Sequence, residues 1–279
     1  MCKDYSINVC GRLMFFDTPR VMGILNVTPD SFYEASRVES GNSLLQRATN
    51  MMEAGADILD IGGCSTRPGG EYVSEDEELR RLHSALDVLD RGLPQAVVSV
   101  DTFRARVARE CVRNHNVAII NDISGFEIDE EMLDTVAELR VPYVLTHSRG
   151  VAGCEPQYND FMSEVLESLS KKMWQLRQSG VADVIIDPGF GFGKSLEQNY
   201  YMLSHLKDFT ALDAPLLVGI SRKSMITKVL GVNPGEALNG TSALNTVAVM
   251  NGAHILRVHD VAAAVEVVRL CRALKGDKK

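Results

Sequence analysis

The chain has few aromatic residues and no long apolar segment. Of its 279 residues only 6% are aromatic, with a single tryptophan. No apolar run approaches the roughly 18 residues that a membrane-spanning helix requires. The first residues also lack a cationic region followed by an apolar one, so we expect no signal peptide. These absences predict a soluble protein with no membrane partner.

Basic clusters and cysteine motifs are missing as well. The net charge is -8, and no cluster of lysine and arginine stands out, which argues against a nucleic-acid partner. The 6 cysteines show neither C-x-x-C spacing nor pairing with histidine, which argues against a zinc site and a disulfide framework. We therefore expect a reduced, cytoplasmic protein that acts on small molecules.

The remaining pattern is a regular alternation of strands and helices. Residues 1–20 predict a hairpin that turns at Cys10-Gly11, and residues 21–275 predict eight strand–helix units. This favours one α/β domain over residues 1–279, a (β/α)₈ TIM barrel whose base the hairpin closes. An open doubly wound sheet fits the same periodicity. The predicted strands are residues 21–25, 58–61, 97–100, 118–120, 143–145, 184–186, 216–218 and 254–256.

Polar or charged residues follow every predicted strand. Barrel enzymes place their active sites at the carboxyl ends of the strands, so this recurrence predicts a site there. Each residue alone also has a structural interpretation: Asp101 or Asn121 as a helix cap, His259 as a core histidine and Arg257 as a surface cation. The segments concerned are 26–32 (NVTPDSF), 62–69 (GGCSTRPG), 101–102 (DT), 121–122 (ND), 146–148 (THS), 187, 219–223 (GISRK) and 257–260 (RVHD).

The most informative segment is residues 187–194 (DPGFGFGK), which follows an apolar strand. Its carboxylate can accept two parallel hydrogen bonds, and its phenylalanines offer flat faces. That combination favours a planar heterocycle with an amidine-like edge. The segment also nearly matches a phosphate-binding loop, but Pro188 stands at the first glycine position and supplies no N–H. A tight turn without function is the remaining alternative.

The polar residues divide into groups by their chemistry. Asp101, Asn121 and Asp187 offer acceptors for a nitrogen-rich ring, and Lys223 adds a donor. Residues suited to a phosphorylated group are Ser65, Thr66, Arg67, Arg257 and His259. Asn26 offers an oxygen of the kind that helps to hold Mg²⁺ when phosphates complete the shell. Transfer of an activated heterocycle follows from this set. A Schiff-base aldolase using Lys223 is the alternative, although it leaves the acidic residues unexplained.

Taken together, the motifs resemble the dihydropteroate synthase family of pterin-binding enzymes, in family order from about residue 21 to the last helix. They are residues 26–32, 65–69, 100–102 (VDT), 120–123 (INDI), 187–193, 221–224 (SRKS) and 257–260. The resemblance implies a barrel, a homodimer and Mg²⁺. It also implies a reaction of folate biosynthesis that joins 6-hydroxymethyl-7,8-dihydropterin pyrophosphate to p-aminobenzoate.

The resemblance further implies a role for individual residues. It assigns catalysis to Asn26, Asp101, Lys223, Arg257 and His259, with Asn26 as the metal ligand. It assigns the pterin to Asp101, Asn121, Ile123, Asp187, Phe192, Gly219 and Lys223. It assigns the pyrophosphate to Asn26, Thr66, Arg67, Arg257 and His259. It assigns p-aminobenzoate to Phe32, Ser65, Thr66, Pro68, Phe192, Ser221 and Arg222.

The sequence departs from the family pattern in three segments. Residues 33–36 read YEAS where Ser-Asp-Gly-Gly is usual, Cys64 replaces a glutamate, and Thr146 and Ser148 replace methionines. From the first we expect residues 32–37, together with residues 64–70, to form an altered lid that leaves p-aminobenzoate turnover normal and weakens inhibition by large sulfonamides. The alternative is a loop that only varies in sequence and accepts the drug as usual. A pterin-binding paralogue without activity and a corrinoid-dependent methyltransferase are the alternative functions. The methyltransferase would not need Arg67, Arg257 and His259.

Overall fold

The computed structural model of the protein describes residues 5–27, 37–64, 73–149 and 158–276. Within these ranges, no helix combines the length and the apolar composition that crossing a membrane requires. The expected lid lies outside the described residues except at Arg37 and Cys64. The other predicted site residues that lie outside them are Ser65, Thr66, Arg67 and Pro68.

A short antiparallel hairpin precedes the main sheet. Its strands are β1 (Ser6–Val9) and β2 (Arg12–Phe15), and its turn places Cys10 and Gly11 at positive φ. Glycine adopts this conformation readily, which is the reason that a Cys-Gly pair predicts the turn. The predicted hairpin is confirmed.

Eight parallel strands form the main sheet, in the order β8-β7-β6-β5-β4-β3-β10-β9. The edge strands β8 and β9 then meet through a parallel bridge between Ile186 and Leu216, so the sheet closes on itself. The predicted barrel is therefore confirmed. The strands are β3 (Arg20–Asn26), β4 (Ile58–Gly62), β5 (Val98–Asp101), β6 (Val117–Asp122), β7 (Tyr143–Thr146), β8 (Val184–Asp187), β9 (Leu217–Val218) and β10 (Ile255–Val258).

Helices follow the strands and cover the outside of the barrel. Their apolar faces pack on the outward side chains of the strands in one continuous cluster of buried residues. The helices are α1 (Arg37–Glu53), α2 (Glu75–Gly92), α3 (Ala105–Asn114), α4 (Glu131–Leu139), α5 (Tyr158–Gln178), α6 (Leu196–Ser204), α7 (Ser224–Leu230), α8 (Leu238–Met250) and α9 (Val261–Lys275). Two 3₁₀ turns lie at Leu206–Leu212 and Pro234–Glu236.

The hairpin seals the amino-terminal end of the barrel. Ile7, Val9 and Phe16 join the cluster of apolar side chains that fills the barrel interior. The backbone N–H of Asn8 donates to Asp183 at 2.8 Å, just before β8 begins. With its base filled, the barrel offers its carboxyl end to a ligand.

The sequence predicts two helix caps, Asp260 at the start of α9 and a capping box of Ser74 and Glu77 at the start of α2. Asp260 makes no capping hydrogen bond at α9, because its carboxylate accepts from Nε and Nη2 of Arg222 at 3.0 and 2.6 Å. A bidentate charge-assisted pair is stronger than a bond to one backbone N–H. At α2, Ser74 accepts from the N–H of Glu77 at 3.3 Å as predicted. The Glu77 carboxylate, however, binds Arg80 and Arg81.

Candidate active site

The barrel strands turn polar side chains inward at their carboxyl ends. Side chains alternate along a strand, so residues two positions apart share a face. Ile58, Ile119, Ile185 and Ile255 all belong to the interior cluster. Two positions beyond them, at the open end of the barrel, stand Asp60, Asn121, Asp187 and Arg257.

Arg257 is the centre of a buried network. Its Nε donates to Oδ2 of Asp60 at 2.6 Å, and its Nη2 donates to Oδ2 of Asp101 at 2.6 Å. Asn121 donates from Nδ2 to the same oxygen of Asp60 at 3.0 Å. The predicted site residues Asp101, Asn121 and Arg257 therefore meet as the sequence implied, and Asp60 connects them. Gly219 faces the same network, since a Cβ added there would lie 3.7 Å from Cβ of Arg257.

Asp187 at the end of β8 and Lys223 directly before α7 hold the loop of residues 188–193. Oδ1 of Asp187 accepts from the N–H of Gly189 at 2.8 Å. Nζ of Lys223 donates to the carbonyl of Phe190 and lies 4.5 Å from the ring centroid of Phe192. The carboxylate, the ammonium and the flat ring that the sequence predicted therefore stand around one loop.

Lys194 anchors this loop from within. Its Nζ donates to the carbonyls of Gly189 at 2.8 Å, His147 at 3.0 Å and Phe192 at 3.2 Å. An ammonium has three N–H donors and no acceptor, so these bonds use all of them. A lysine that binds nucleotide phosphates must be free to reach them. The alternative interpretation as a phosphate-binding loop is therefore disfavoured.

Gly189 has a steric reason to be glycine. Its φ is +72°, and an added Cβ would lie 1.8 Å from the carbonyl oxygen of His147. No larger residue fits this close approach of two backbones.

Burial shifts the pKa values of three charged groups at this end of the barrel. Burial raises the pKa of Asp101 to about 7, although the Arg257 guanidinium opposes the shift. Burial lowers the pKa of Lys223 to about 8, opposed by the charge of Asp187. The pKa of Asp187 is also raised by burial, with Lys223 opposing. Groups with such shifted pKa values are typical of functional sites.

The remaining predicted residues lie at the ends of β9, β10 and their neighbours. Oγ of Ser221 lies 3.0 Å from Nδ1 of His259 and also accepts from the N–H of His259 at 3.2 Å. Arg222, with φ at 57°, is held by its bidentate pair with Asp260. Ile123 is half-buried after β6. These placements agree with the predicted roles and do not test them.

Two residues of this arrangement were missed as site residues from the sequence. Asp60 looked like part of an apolar strand, although a carboxylate in mid-strand was a signal that it needs a buried partner. Lys194 was considered only for phosphate binding. Its three acceptors are backbone carbonyls from two separate loops. Every residue has such a carbonyl, so the sequence does not show which ones accept from Lys194.

Comparison with known proteins gives the family. The model of the pterin-binding enzyme family matches residues 22–259. A dihydropteroate synthase of Escherichia coli K12 is 41% identical over 274 residues, which span 96% of each chain. The chain belongs to the dihydropteroate synthase family. It is an enzyme of folate biosynthesis, a transferase, as the motifs predicted.

Solved structures of family members share the fold over nearly the whole chain. The dihydropteroate synthase of Xanthomonas albilineans with 4-aminobenzoic acid is 39% identical, with a TM-score of 0.87, covering 98% of this chain and 99% of that one. The synthase of Yersinia pestis in complex with a sulfonamide drug is 37% identical, with a TM-score of 0.88, covering 98% and 100%.

Proposed function

We propose that the residues at the carboxyl end of this barrel join 6-hydroxymethyl-7,8-dihydropterin pyrophosphate to p-aminobenzoate. The products are 7,8-dihydropteroate and pyrophosphate. The observation that carries this assignment is the placement of Asp187 and Lys223 around the loop of residues 188–193, beside the network of Asp60, Asp101 and Arg257. Such a site offers acceptors, a donor and an aromatic face to one flat, nitrogen-rich ring.

Asp187 makes the principal contact with the pterin in this proposal. A carboxylate accepts two parallel N–H bonds from the amino-bearing edge of the ring. Lys223 donates to the ring carbonyl or a ring nitrogen, and Phe192 packs beside the ring. Asp101 and Asn121 supply further polar contacts from the neighbouring strands.

Arg257 and His259 stabilise the leaving group. The C–O bond of the substrate breaks first, and its electron pair leaves with the pyrophosphate. The methylene cation that remains is stabilised by the dihydropterin, and the amine nitrogen of p-aminobenzoate attacks it and then loses a proton. Negative charge grows on the leaving oxygen, so cationic and N–H donors near it lower the barrier.

Asn26 is suited to hold Mg²⁺ together with the substrate. Its Oδ1 and Oδ2 of Asp101 lie 3.4 and 3.8 Å from the point where a Cβ on Gly62 would stand. The missing side chain leaves room beside hard oxygen atoms, which Mg²⁺ prefers. The described ranges contain no cluster of three or more acidic, histidine or cysteine side chains for a metal, so substrate phosphates would complete the shell. The ion would neutralise charge on the leaving pyrophosphate.

Ser221, Arg222 and Phe192 form the described part of the p-aminobenzoate site in this proposal. The pair of Arg222 with Asp260 uses Nε and one N–H of Nη2, so in this proposal Nη1 and the second N–H of Nη2 form the edge that binds the substrate carboxylate. This pairing orders the guanidinium before the substrate arrives. The family member from Xanthomonas albilineans was solved with 4-aminobenzoic acid.

A second copy of this chain is the partner that we propose. Several large apolar side chains are exposed on α7, α8 and α9, which lie side by side. We call this surface the helical apolar face. A homodimer would cover it, since exposed apolar patches of this kind mark protein interfaces. The residues are Val229, Leu230, Leu238, Val247, Met250, Leu270 and Leu274.

We also place the protein in the cytoplasm. Among the described cysteines, Cys10, Cys111 and Cys271 are free thiols. Free thiols are characteristic of a reducing compartment.

The test is incubation of the protein with the pterin pyrophosphate, p-aminobenzoate and Mg²⁺, with detection of dihydropteroate. Product that disappears in Arg257→Met supports the assignment, while tight pterin binding without turnover supports the inactive paralogue. Inorganic pyrophosphate binding, measured by calorimetry with and without Mg²⁺, tests the metal separately. Asn26→Leu should abolish the gain in affinity that Mg²⁺ gives.

A further inference from the structure

Asp60 is a carboxylate in the barrel interior that no part of the proposed mechanism uses. It stands in the middle of β4, and its side chain is 0% exposed. Its neighbours Leu59 and Ile61 face outward into the helical layer. A buried carboxylate is costly unless it is paired and hydrogen-bonded, because it gives up its hydration. The contacts that Asp60 makes must therefore offset this cost.

The contacts of Asp60 are unequal on its two oxygens. Oδ2 accepts from Nε of Arg257 at 2.6 Å and from Nδ2 of Asn121 at 3.0 Å. Oδ1 is buried and has no hydrogen-bond partner among the described residues. Both hydrogen bonds thus lie on one oxygen, and one of the two donors is the predicted pterin residue Asn121.

The contact with Asn121 fixes which way round its amide lies. An ionised carboxylate only accepts hydrogen bonds, so the amide must present its nitrogen to Asp60. An amide is otherwise free to turn over, because its oxygen and nitrogen have nearly the same shape. With Nδ2 held by Asp60, Oδ1 lies on the other side of the amide group.

We infer that Asp60 is a specificity-determining positioning residue, which makes Asn121 a hydrogen-bond acceptor toward the pterin. This inference rests on the pterin pocket proposed above. Asp187 can take two parallel N–H groups from the amino-bearing edge of a pterin. One amino hydrogen then remains, and Oδ1 of Asn121 accepts it. If the amide were turned over, its N–H would face the N–H of the pterin amino group.

The test compares two ring ligands across a set of variants. The probes are a free pterin and the matching lumazine, in which a carbonyl replaces the amino group. Asp60→Asn can donate to Asn121 and so lets its amide turn over. The swap variant, Asp60→Asn with Asn121→Asp, keeps the net charge and reverses the hydrogen bond. It still offers an acceptor oxygen to the ring.

Asp122 provides the matched control. It is an equally buried carboxylate at the end of β6, beside Asn121 in the chain. Its hydrogen bonds come from Ser124, Phe126 and Tyr143, so it organises the following turn rather than the amide of Asn121. Asp122→Asn should lower stability and leave the preference between the probes unchanged.

Calorimetry on folded protein gives the expected result. Asp60→Asn should lose about tenfold in pterin affinity and about threefold or less in lumazine affinity, because an unpaired donor is costly only against the amino group. The swap variant should return pterin affinity to within about threefold of the wild type. Equal losses for both probes, or a swap variant no better than Asp60→Asn, would overturn the inference.

Two further measurements separate this inference from the proposed pocket. If Asp60→Asn does not fold, the swap variant alone decides, by binding pterin or failing to bind it. Asp187→Asn reports on the pocket itself. If it lowers pterin affinity while the Asp60 variants behave like Asp122→Asn, the pocket stands and the role of Asp60 is wrong. If Asp187→Asn has no effect, the pocket assignment fails.

Discussion

Asp187 is the residue on which pterin recognition depends most. Asp187→Asn keeps the shape of the side chain but removes the charge and replaces one acceptor with a donor. A charge-assisted hydrogen bond contributes about 1.5–3 kcal/mol, so affinity for free pterin should fall at least about tenfold. Calorimetry measures the loss, and circular dichroism checks the fold. Unchanged affinity would show that the pterin binds elsewhere.

The ionisation of two residues predicts how pterin affinity depends on pH. Asp101 accepts hydrogen bonds on both oxygens without carrying a donor only as a carboxylate, and its pKa is about 7. Lys223 donates fully only as an ammonium, and its pKa is about 8. Affinity should therefore fall as the pH drops through the first value and fall again as it rises through the second.

Titration calorimetry from about pH 5.5 to about pH 9.5 would reveal both limbs of this profile. In Lys223→Met the alkaline limb should disappear while the acid limb remains. A profile that keeps its alkaline limb in this variant would remove Lys223 from the explanation.

At the scale of an element, the loop of residues 188–193 depends on one glycine. A Cβ at Gly189 would lie 1.8 Å from the oxygen of His147, while one at Gly180 would meet nothing within 4 Å. Both glycines have positive φ, at +72° and +89°. Gly180→Ala thus serves as a control that carries the backbone strain without the clash.

Gly180→Ala should cost about 1–2 kcal/mol of unfolding free energy, the usual strain of a left-handed alanine. Gly189→Ala should cost clearly more and abolish pterin binding, because the loop must move away from β7. Urea denaturation compares the two. Equal losses would mean that the loop absorbs the clash without leaving its position.

The strands were predictable from sequence because each is a short apolar run followed by a polar residue. The predicted segment 184–186 lies within β8, and 58–61 lies within β4. That the carboxyl ends of these strands meet at one end of the barrel was predictable too, since all the strands are parallel. What failed was partner choice: Asp260 pairs with Arg222 rather than capping α9, because a tertiary charge pair competes with a local bond.

The position of a site residue was predictable where it ends an apolar run, as for Asp187 and Asn121, while the roles of these residues stay predictions. A contact was not predictable where the partner lies far along the chain. Arg257 lies 197 positions from Asp60. Nothing local marks Lys194 as the donor to the carbonyl of His147.

For the whole molecule, the helical apolar face predicts the oligomeric state. Leu270 on α9 is 67% exposed, and Leu13 on the hairpin is 62% exposed. Leu270→Glu should convert a dimer to a monomer in sedimentation velocity, because a buried unpaired carboxylate is costly. Leu13→Glu, with nearly the same exposure but on the hairpin rather than on the helical apolar face, should leave the dimer intact. A dimer that survives Leu270→Glu would place the interface elsewhere.

The junction of β8 and β9 has a further consequence for motion. β9 has only two residues, and one bridge, from Ile186 to Leu216, joins it to β8. Asp187 lies on one side of this junction and Lys223 on the other. A ligand bound by both residues bridges the junction and so restrains its opening. Amide hydrogen exchange should then slow on pterin binding more strongly at Ile186 than along the broad β3–β4 contact. Substrate binding would thus stabilise the barrel at the junction that opens most readily.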